Sequence, residues 1–311
     1  MNWRLSGDNI FKTLATILAA SAAVILLITA ITLFTGSLPI FQHFGLNFFT
    51  GTQWNPVTGR EAFGVLPFLL GTLVTSGIAL LIGVPISLGI AIFLVEMAPK
   101  TLKVPVSYLV ELLAAVPSVI YGLWGLFVLR FWILDYIEKP ISASLGWIPI
   151  FSGTPYGLDV LTGGIILAIM IIPTVSSVTR EVIQAVPNSI REGAYSIGAT
   201  KWEVIRHWVL SYGRSGIFGA VILGLGRAVG ETMAVTMVIG NANAVPTSLF
   251  KPSQTMASLI ANGYLEASPV SLELPAYIAV GFTLLLLGLL INVIAHVMVT
   301  RVLKIKGGAV E

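Results

Sequence analysis

Residues 189–210 read SIREGAYSIGATKWEVIRHWVL, a polar and charged segment between two apolar runs that are each long enough to cross a bilayer. Two stretches in it, which begin at Ser189 and Thr200, have the Ser/Thr-x-x-Glu spacing of a capping box, where a hydroxyl and a glutamate satisfy free N–H groups at the start of a helix. Gly198 stands between them and can take the left-handed conformation that ends a helix. The segment therefore predicts two short capped helices joined by a glycine turn, which we call the hairpin.

The second helix of the hairpin is expected to be amphipathic. A period of 3.6 residues gathers its large apolar side chains on one face and leaves most of its charges elsewhere. The predicted apolar face holds Trp202, Ile205, Trp208 and Val209.

The composition is that of a membrane protein. Hydrophobic residues make up 56% of the 311 residues and charged residues only 10%, whereas a soluble domain has roughly 25% charged residues. Long charge-free runs predict an all-α polytopic membrane protein with six transmembrane helices. The predicted spans are residues 11–34, 62–95, 106–131 with Pro117 inside, 160–179, 215–239 and 276–299. Outside the spans, we further expect an outer loop at 131–159 and a short helix at 255–261.

Within this plan, the chain divides into two parts. Residues 1–61 are expected to form an N-terminal, uncleaved transmembrane helix with an external loop, and residues 62–311 a five-helix core that carries the hairpin at 189–210. The 34-residue run at 62–95 is longer than a bilayer core requires, and Gly83, Pro85 and Gly89 offer a bend.

Lysine and arginine predict the orientation, because they concentrate on the cytosolic side of membrane proteins. With the N-terminus inside, twelve of them fall in inner segments and four in outer segments. The inner ones are Arg4, Lys12, Lys100, Lys103, Arg180, Arg191, Lys201, Arg206, Arg214, Arg301, Lys304 and Lys306, and the outer ones Arg60, Arg130, Lys139 and Lys251. Both termini and the hairpin are therefore expected in the cytosol. A nucleic-acid partner is not expected, because the net charge is only +3 and the hairpin lies between two membrane spans.

Catalytic and cofactor sites are not expected on this chain. The dipeptide Gly-Lys does not occur, which excludes a P-loop for ATP and places any ATP hydrolysis on a separate subunit. Cysteine is absent, and His43, His207 and His296 share no spacing typical of a metal site. These observations argue against an enzyme and against a metal centre.

Arg227 and Glu231 interrupt the apolar interior of the fifth predicted span. They are four residues apart, hence on one face of a continuous helix, and Arg227 falls near the bilayer midplane. A charge at that depth costs about 2.5–3.5 kcal/mol even on the lenient insertion scale, so it needs a reason. Two readings stay open: a mutually neutralising ion pair against another helix, or a pair that handles an anion along a pathway. Gly219, Gly224, Gly226 and Gly230 on the same span predict close helix packing or space for a ligand.

Hydroxyls supply the remaining polarity of the spans. Ser118 and Tyr121 in the third span, and Thr174 with its neighbours in the fourth, can line a pathway or simply bond to nearby carbonyl groups. Together with Arg227, Glu231 and Thr232, we take Ser118 and Tyr121 as the candidate pathway residues.

The hairpin resembles the EAA loop of ABC importer permeases, the cytosolic element that docks into the ATPase subunit. Glu192, Gly193, Ala194 and Gly198 match that pattern in spacing, with Gly193 in place of an alanine and Ser211 in place of a proline. The resemblance implies that Glu192, Gly193, Ala194, Gly198 and Ala199 couple the chain to an ATPase.

Longer blocks resemble the PstC-type permeases of phosphate ABC importers. They are residues 54–56 (WNP), 63–67 (FGVLP), 71–76 (GTLVTS), 111–122 (ELLAAVPSVIYG) and 226–234 (GRAVGETMA). The resemblance implies a type I ABC importer permease (MetI-like) fold in a bacterial cytoplasmic (inner) membrane. It also implies a PstA-type permease, a PstB-type ATPase dimer that binds ATP and Mg, and a PstS-type phosphate-binding protein as partners.

Together these expectations describe the permease subunit of an ATP-driven phosphate importer that works by alternating access and binds no cofactor itself. A permease for another oxyanion such as molybdate stays open, because the charge pattern does not choose among tetrahedral anions. A passive anion channel is a further alternative of a different class, although it has no need for an ATPase-docking hairpin.

Overall fold

The computed structural model describes residues 7–57 and 59–302, and within them six helices are long and apolar enough to cross a membrane. They are Ile10–Phe44, Leu66–Met97, Ser118–Leu145, Val160–Gln184, Lys201–Gly230 and Glu273–Thr300, here called spans 1 to 6. The predicted number of spans is confirmed. Arg4, Lys304 and Lys306 of the charge count lie outside the described residues.

Short elements join the spans and divide the bundle into two ends. The loop end carries the antiparallel strands Trp54–Asn55 and Ala62–Phe63 and the helix Met256–Gly263, which begins at the Thr255 cap as predicted. The hairpin end carries the helices Lys100–Ala115 and Asn188–Ser196. Further short connecting elements are the helices Asn47–Thr50 and Met233–Val238 and the 3₁₀ turn Pro149–Phe151. The long helices themselves contain or end in π-helical turns, at Phe93–Met97, Gly125–Leu129, Leu134–Glu138, Val204–Val209 and Met298–Val302.

Spans 2, 4 and 5 form the centre of the bundle, and glycines let them approach closely. A Cβ placed at Gly83 of span 2 would lie 2.8 Å from Cγ1 of Ile171, and one at Gly224 of span 5 would lie 2.5 Å from Cγ2 of Val175. Both partners are on span 4, which is buried over most of its length. Only a residue without a side chain fits at either position, so close packing is confirmed for Gly224.

Span 1 packs against span 6 and closes the loop end with aromatic side chains. Ile40, Phe48 and Tyr277 belong to one buried cluster there, and the Trp54 ring meets the Phe68 ring edge-on at 5.4 Å between centroids. This geometry adds a specific attraction to the burial of large apolar surfaces. It fixes the strand pair at 54–63 on the bundle.

The third span differs from the prediction. The helix Lys100–Ala115 is followed by Val116 and Pro117, which are not helical, and span 3 begins at Ser118. Proline disfavours a helical conformation in the residue before it, so Pro117 separates two helices instead of lying inside one. Span 3 then continues to Leu145, through residues predicted as an external loop.

The far end of span 3 carries a buried carboxyl pair with the start of span 4. Glu138 and Asp159 are both fully buried. Asp159 caps span 4, since its Oδ1 accepts the N–H of Thr162 at 2.9 Å, while Glu138 accepts the N–H of Gly157 at 3.1 Å. The two carboxyls therefore join the ends of spans 3 and 4.

The first, second and fifth spans also extend differently. The first helix runs from Gly7 to Phe44, well beyond residue 34. Span 2 remains helical through Pro85, and its regular α-helix ends only where the π-helical turn Phe93–Met97 begins. Span 5 is continuous with the second helix of the hairpin and ends at Gly230, not at residue 239.

Candidate functional site: an intramembrane cavity and a capped hairpin

Arg227 lies on span 5 at a cavity of about 560 Å³ between spans 4, 5 and 6. Its Nη1 donates a hydrogen bond of 2.8 Å to Oγ1 of Thr174 on span 4. The other lining residues are Gly219, Ile222, Leu223, Gly226 and Asn292. One cation and two neutral polar groups thus face a space that is otherwise apolar, and a few polar groups in an apolar lining are typical of small-molecule sites.

Glu231 is not on the same helical face as Arg227, and this part of the prediction is wrong. The helix ends at Gly230, Glu231 has an extended backbone (φ −69°, ψ 128°), and no ion pair joins the two side chains in the described chain. The Glu231 carboxylate instead accepts the N–H of Ala234 at 3.2 Å. It therefore caps the helix Met233–Val238, and Arg227 is left without the predicted counter-charge.

The remaining pathway candidates lie at or near interruptions between helices and do not line the Arg227 cavity. Thr232 occupies the N-cap position of Met233–Val238. Tyr121 is only 7% exposed, and its hydroxyl donates a hydrogen bond of 2.8 Å to the carbonyl of Leu113. This bond connects the two helices on either side of the interruption at Pro117. Ser118 begins the helix after that break. Their contribution to transport stays a prediction.

Sequence reasoning missed Asn292, which faces the cavity from span 6. The available signal was a carboxamide in the charge-free run 276–300, where a polar side chain is rare. Thr174 was one of several candidate hydroxyls, and its sequence did not distinguish it from its neighbours. Only the helix packing brings both to Arg227.

The glycine turn of the hairpin is confirmed. Gly198 has φ +86°, the left-handed conformation, and the N–H of Ala199 donates across the turn to the carbonyl of Ala194 at 3.2 Å. The capping box at Thr200 is also confirmed, because its hydroxyl accepts the N–H of Glu203 and the Glu203 carboxylate accepts the N–H of Thr200. The turn and the start of the second helix are therefore well defined.

The first capping box is wrong. The first hairpin helix is Asn188–Ser196, with Pro187 at the N-cap position and no side-chain cap, so Ser189 lies inside the helix. Pro187 takes the N-cap position two residues before the predicted one.

Burial divides the hairpin into an attached side and a free side. Ala194, Val204 and Val209 pack with Ala91 of span 2 and Ile183 of span 4 in one buried cluster. The predicted apolar face is confirmed for Ile205 and Val209 but wrong for Trp202, which is 57% exposed. The π-helical turn Val204–Val209 inserts an extra residue per turn and so changes which side chains share a face.

The free side presents apolar and small groups. Tyr195, Ile197 and Trp202 are exposed, and Cβ atoms at Gly193 or Gly198 would meet nothing within 4 Å. Glu192 is exposed as well. A surface of this kind, rimmed by charge, is typical of a contact with another protein.

Comparison with known proteins identifies the family. A family model described as "Binding-protein-dependent transport system inner membrane component" matches residues 83–304. The phosphate transport system permease protein PstC of Haemophilus influenzae is 44% identical over 304 residues, which cover 96% of this chain and 95% of that protein. The chain belongs to the PstC family of binding-protein-dependent permeases. The PstC of Mesorhizobium japonicum is 47% identical over 301 residues, covering 95% of this chain and 90% of that protein.

Solved structures agree on the fold. A bacterial alginate ABC transporter in complex with an alginate-bound periplasmic protein matches with a TM-score of 0.62 at 18% identity, covering 97% of this chain and 99% of that chain. The inward-facing MetNI methionine ABC transporter matches with a TM-score of 0.53 at 18% identity, covering 78% and 95%. The predicted ABC importer permease fold is thus confirmed, and the chain is a multi-pass inner-membrane transport subunit rather than an enzyme.

Proposed function

We propose that this chain forms one half of the membrane pathway of an ATP-driven phosphate importer. The observation that carries the proposal is Arg227, which lies at a cavity within the spans, is bonded to the neutral Thr174 and makes no ion pair with the carboxylates in residues 7–57 and 59–302. An unpaired charge at that depth is costly and is most often functional. The relatives named as phosphate permeases supply the substrate class.

Arg227 would lower the barrier for an anion that must lose part of its hydration. A guanidinium has five N–H donors, and the bond to Thr174 uses one of them while it holds the group in place. Asn292 on the opposite wall would add a neutral donor. A single cation with neutral donors attracts the anion without holding it permanently, as transport requires.

Glu231 would act through the backbone under this proposal. Its carboxylate caps Met233–Val238 immediately after span 5 ends, so it sets the direction of the chain beside the cavity. Thr232 lies at the helix interruption after Gly230, and Ser118 and Tyr121 lie at or near the interruption at Pro117. We assign all three positioning roles in the pathway rather than direct contact with the anion.

The partners follow from the two open surfaces of the chain. The cavity side of span 5 would face a PstA-type permease, and the free side of the hairpin would dock on a PstB-type ATPase dimer that binds ATP and Mg. In this arrangement the hairpin and both termini are cytosolic, and a PstS-type protein delivers phosphate at the loop end. Glu192, Gly193, Ala194, Gly198 and Ala199 are the coupling residues.

Closure of the ATPase dimer would then move the hairpin as a lever. The buried cluster that joins it to spans 2 and 4 makes the motion a rigid-body shift of those spans, which turns the cavity from one side of the membrane to the other. No covalent step is needed in this chain.

The test is uptake into proteoliposomes by the complete transporter, with phosphate, molybdate and sulfate compared. At an effective dielectric constant of 20, a unit charge 4 Å from an anion contributes on the order of 4 kcal/mol, so we expect Arg227→Gln to reduce phosphate uptake by about 10-fold to 1,000-fold. Arg227→Lys keeps the charge and should lose less.

Lys139→Gln is the matched control, because it removes an exposed cation whose ion-pair partner is the exposed Asp135. Its uptake should equal that of the wild type. Normal uptake by an assembled Arg227→Gln transporter would refute the role of Arg227, and preferred uptake of molybdate or sulfate would refute the substrate.

A further inference from the structure

Arg191, on the first helix of the hairpin, makes an ion pair that is largely shielded from solvent. Its Nε and Nη2 donate to Oε1 of Glu96 at 3.1 and 2.8 Å. The two side chains are only 15% and 12% exposed. Glu96 belongs to the π-helical turn Phe93–Met97 at the end of span 2, so this pair connects the hairpin to span 2.

The same guanidinium also reaches the end of span 4. Nη2 donates to the carbonyl of Ile183 at 2.9 Å, and Nη1 donates to the carbonyl of Val186 at 2.5 Å. These carbonyls belong to the last turn of a helix and the residues after it, where backbone acceptors have no partner within the helix. One side chain therefore joins three elements: the hairpin, span 2 and span 4.

Arginine suits this junction better than lysine does. Its planar fork of donors can serve a carboxylate and two carbonyls at once, whereas an ammonium is a compact charge on a flexible stem. The ion pairs Lys139–Asp135 and Arg180–Glu111, by contrast, each include a partner that is more than half exposed. Shielding makes the Arg191 contacts more resistant to water and salt.

Span 4 connects the Arg191 junction to the Arg227 cavity. Ile183 is nine residues beyond Thr174 on span 4, a distance of roughly 13 Å along the helix axis. Thr174 in turn accepts the hydrogen bond of Arg227. A displacement applied at Arg191 thus reaches the Arg227 cavity through one unbroken helix.

We infer that Arg191 is a positioning residue that couples hairpin motion to spans 2 and 4, beyond the residues of the EAA pattern. The inference rests on the proposed function. Without the Arg191 fork, the apolar contacts of Ala194 and Val204 still attach the hairpin, but the hairpin can pivot on them. The coupling of ATP hydrolysis to transport is then reduced more than the assembly of the transporter.

The experiment uses the complete reconstituted transporter with Glu96→Gln, Arg191→Lys and, as a matched control, Glu111→Gln, which disrupts an ion pair to span 4 that does not involve the hairpin. We expect the two junction variants to assemble normally and to hydrolyse ATP. The amount of phosphate transported per ATP should fall by about fivefold or more, and the control should be unchanged.

A second measurement does not depend on the substrate. The chain has no cysteine, so spin labels on Ser196→Cys in the first hairpin helix and on Ile86→Cys in span 2, both exposed positions, report the separation between the hairpin and span 2 with and without ATP. In the wild type this separation should stay constant when ATP binds, because the junction holds the two elements together; in Glu96→Gln it should change, because the hairpin then moves without span 2. A separation that stays constant with ATP in both variants, together with unchanged coupling, would overturn the inference.

The two measurements separate the proposals. An ATP-induced change of this separation in Glu96→Gln that the wild type does not show supports the junction even if the transported anion is not phosphate. Equal losses of assembly and coupling would reduce Arg191 to a structural residue and overturn the inference.

Discussion

Two glycines of the hairpin should respond to alanine in opposite directions. Gly193 lies inside the helix Asn188–Ser196, and Gly198 forms the turn with φ +86°. An added Cβ would meet nothing within 4 Å at either position. Steric contacts are therefore equal, and the backbone conformation alone decides the effect of each substitution.

The magnitudes follow from that conformation. Alanine in place of an exposed helical glycine stabilises a helix by roughly 0.5–1 kcal/mol, so Gly193→Ala should strengthen the hairpin. A side chain in the left-handed region costs about 1–2 kcal/mol, so Gly198→Ala should weaken it. Gly198→Asn should cost less than alanine, because asparagine tolerates this conformation.

Hydrogen exchange of the hairpin amides in the assembled transporter measures these changes, since local opening depends on local stability. One kcal/mol corresponds to about a fivefold change in exchange rate, slower for Gly193→Ala and faster for Gly198→Ala. Phosphate transported per ATP should fall only in Gly198→Ala. The reasoning is refuted if both substitutions change the exchange rate in the same direction.

Three further predictions concern stability. Burial raises the pKa of Asp159 and favours its neutral form, so the wild type should lose stability as the pH rises above about 4, the usual unfolded value; Asp159→Asn, which can keep the N-cap bond, should raise the melting temperature by an amount that grows as the pH rises from there. Thr200→Ala removes the confirmed cap and should cost about 1 kcal/mol, read as about fivefold faster exchange of the second hairpin helix. Gly71→Ala would bring a Cβ within 2.2 Å of the Gln254 carbonyl and should lower the melting temperature, whereas Gly77→Ala, which meets nothing within 4 Å, should not.

The number of spans followed from hydropathy, but several of their boundaries did not, including both ends of span 3. Residues 106–131 are almost continuously apolar, and hydropathy does not register that Pro117 divides them. Glu138 was predicted to lie in the outer loop 131–159, although its carboxyl is fully buried against the start of span 4. The local effect of proline decided the first case, and contact with a distant part of the chain decided the second.

The candidate site was predictable in its centre and not in its surroundings. A lone arginine in an apolar run identifies Arg227 directly. The Glu231 pairing assumed a continuous helix, whereas a glutamate four residues further can equally cap the next helix once Gly230 ends the first. Asn292 is 65 residues from Arg227, and no spacing rule connects them.

The glycines on span 5 have a consequence for the genetics of anion selectivity. Gly219 and Gly226 line the Arg227 cavity, yet a Cβ added at either would meet no described atom beyond its own helix turn within 4 Å. Under the proposed function, the missing wall comes from the product of another gene. Anion selectivity is then a trait of two genes, and second-site suppressors of bulky substitutions at Gly226 should map to the partner permease.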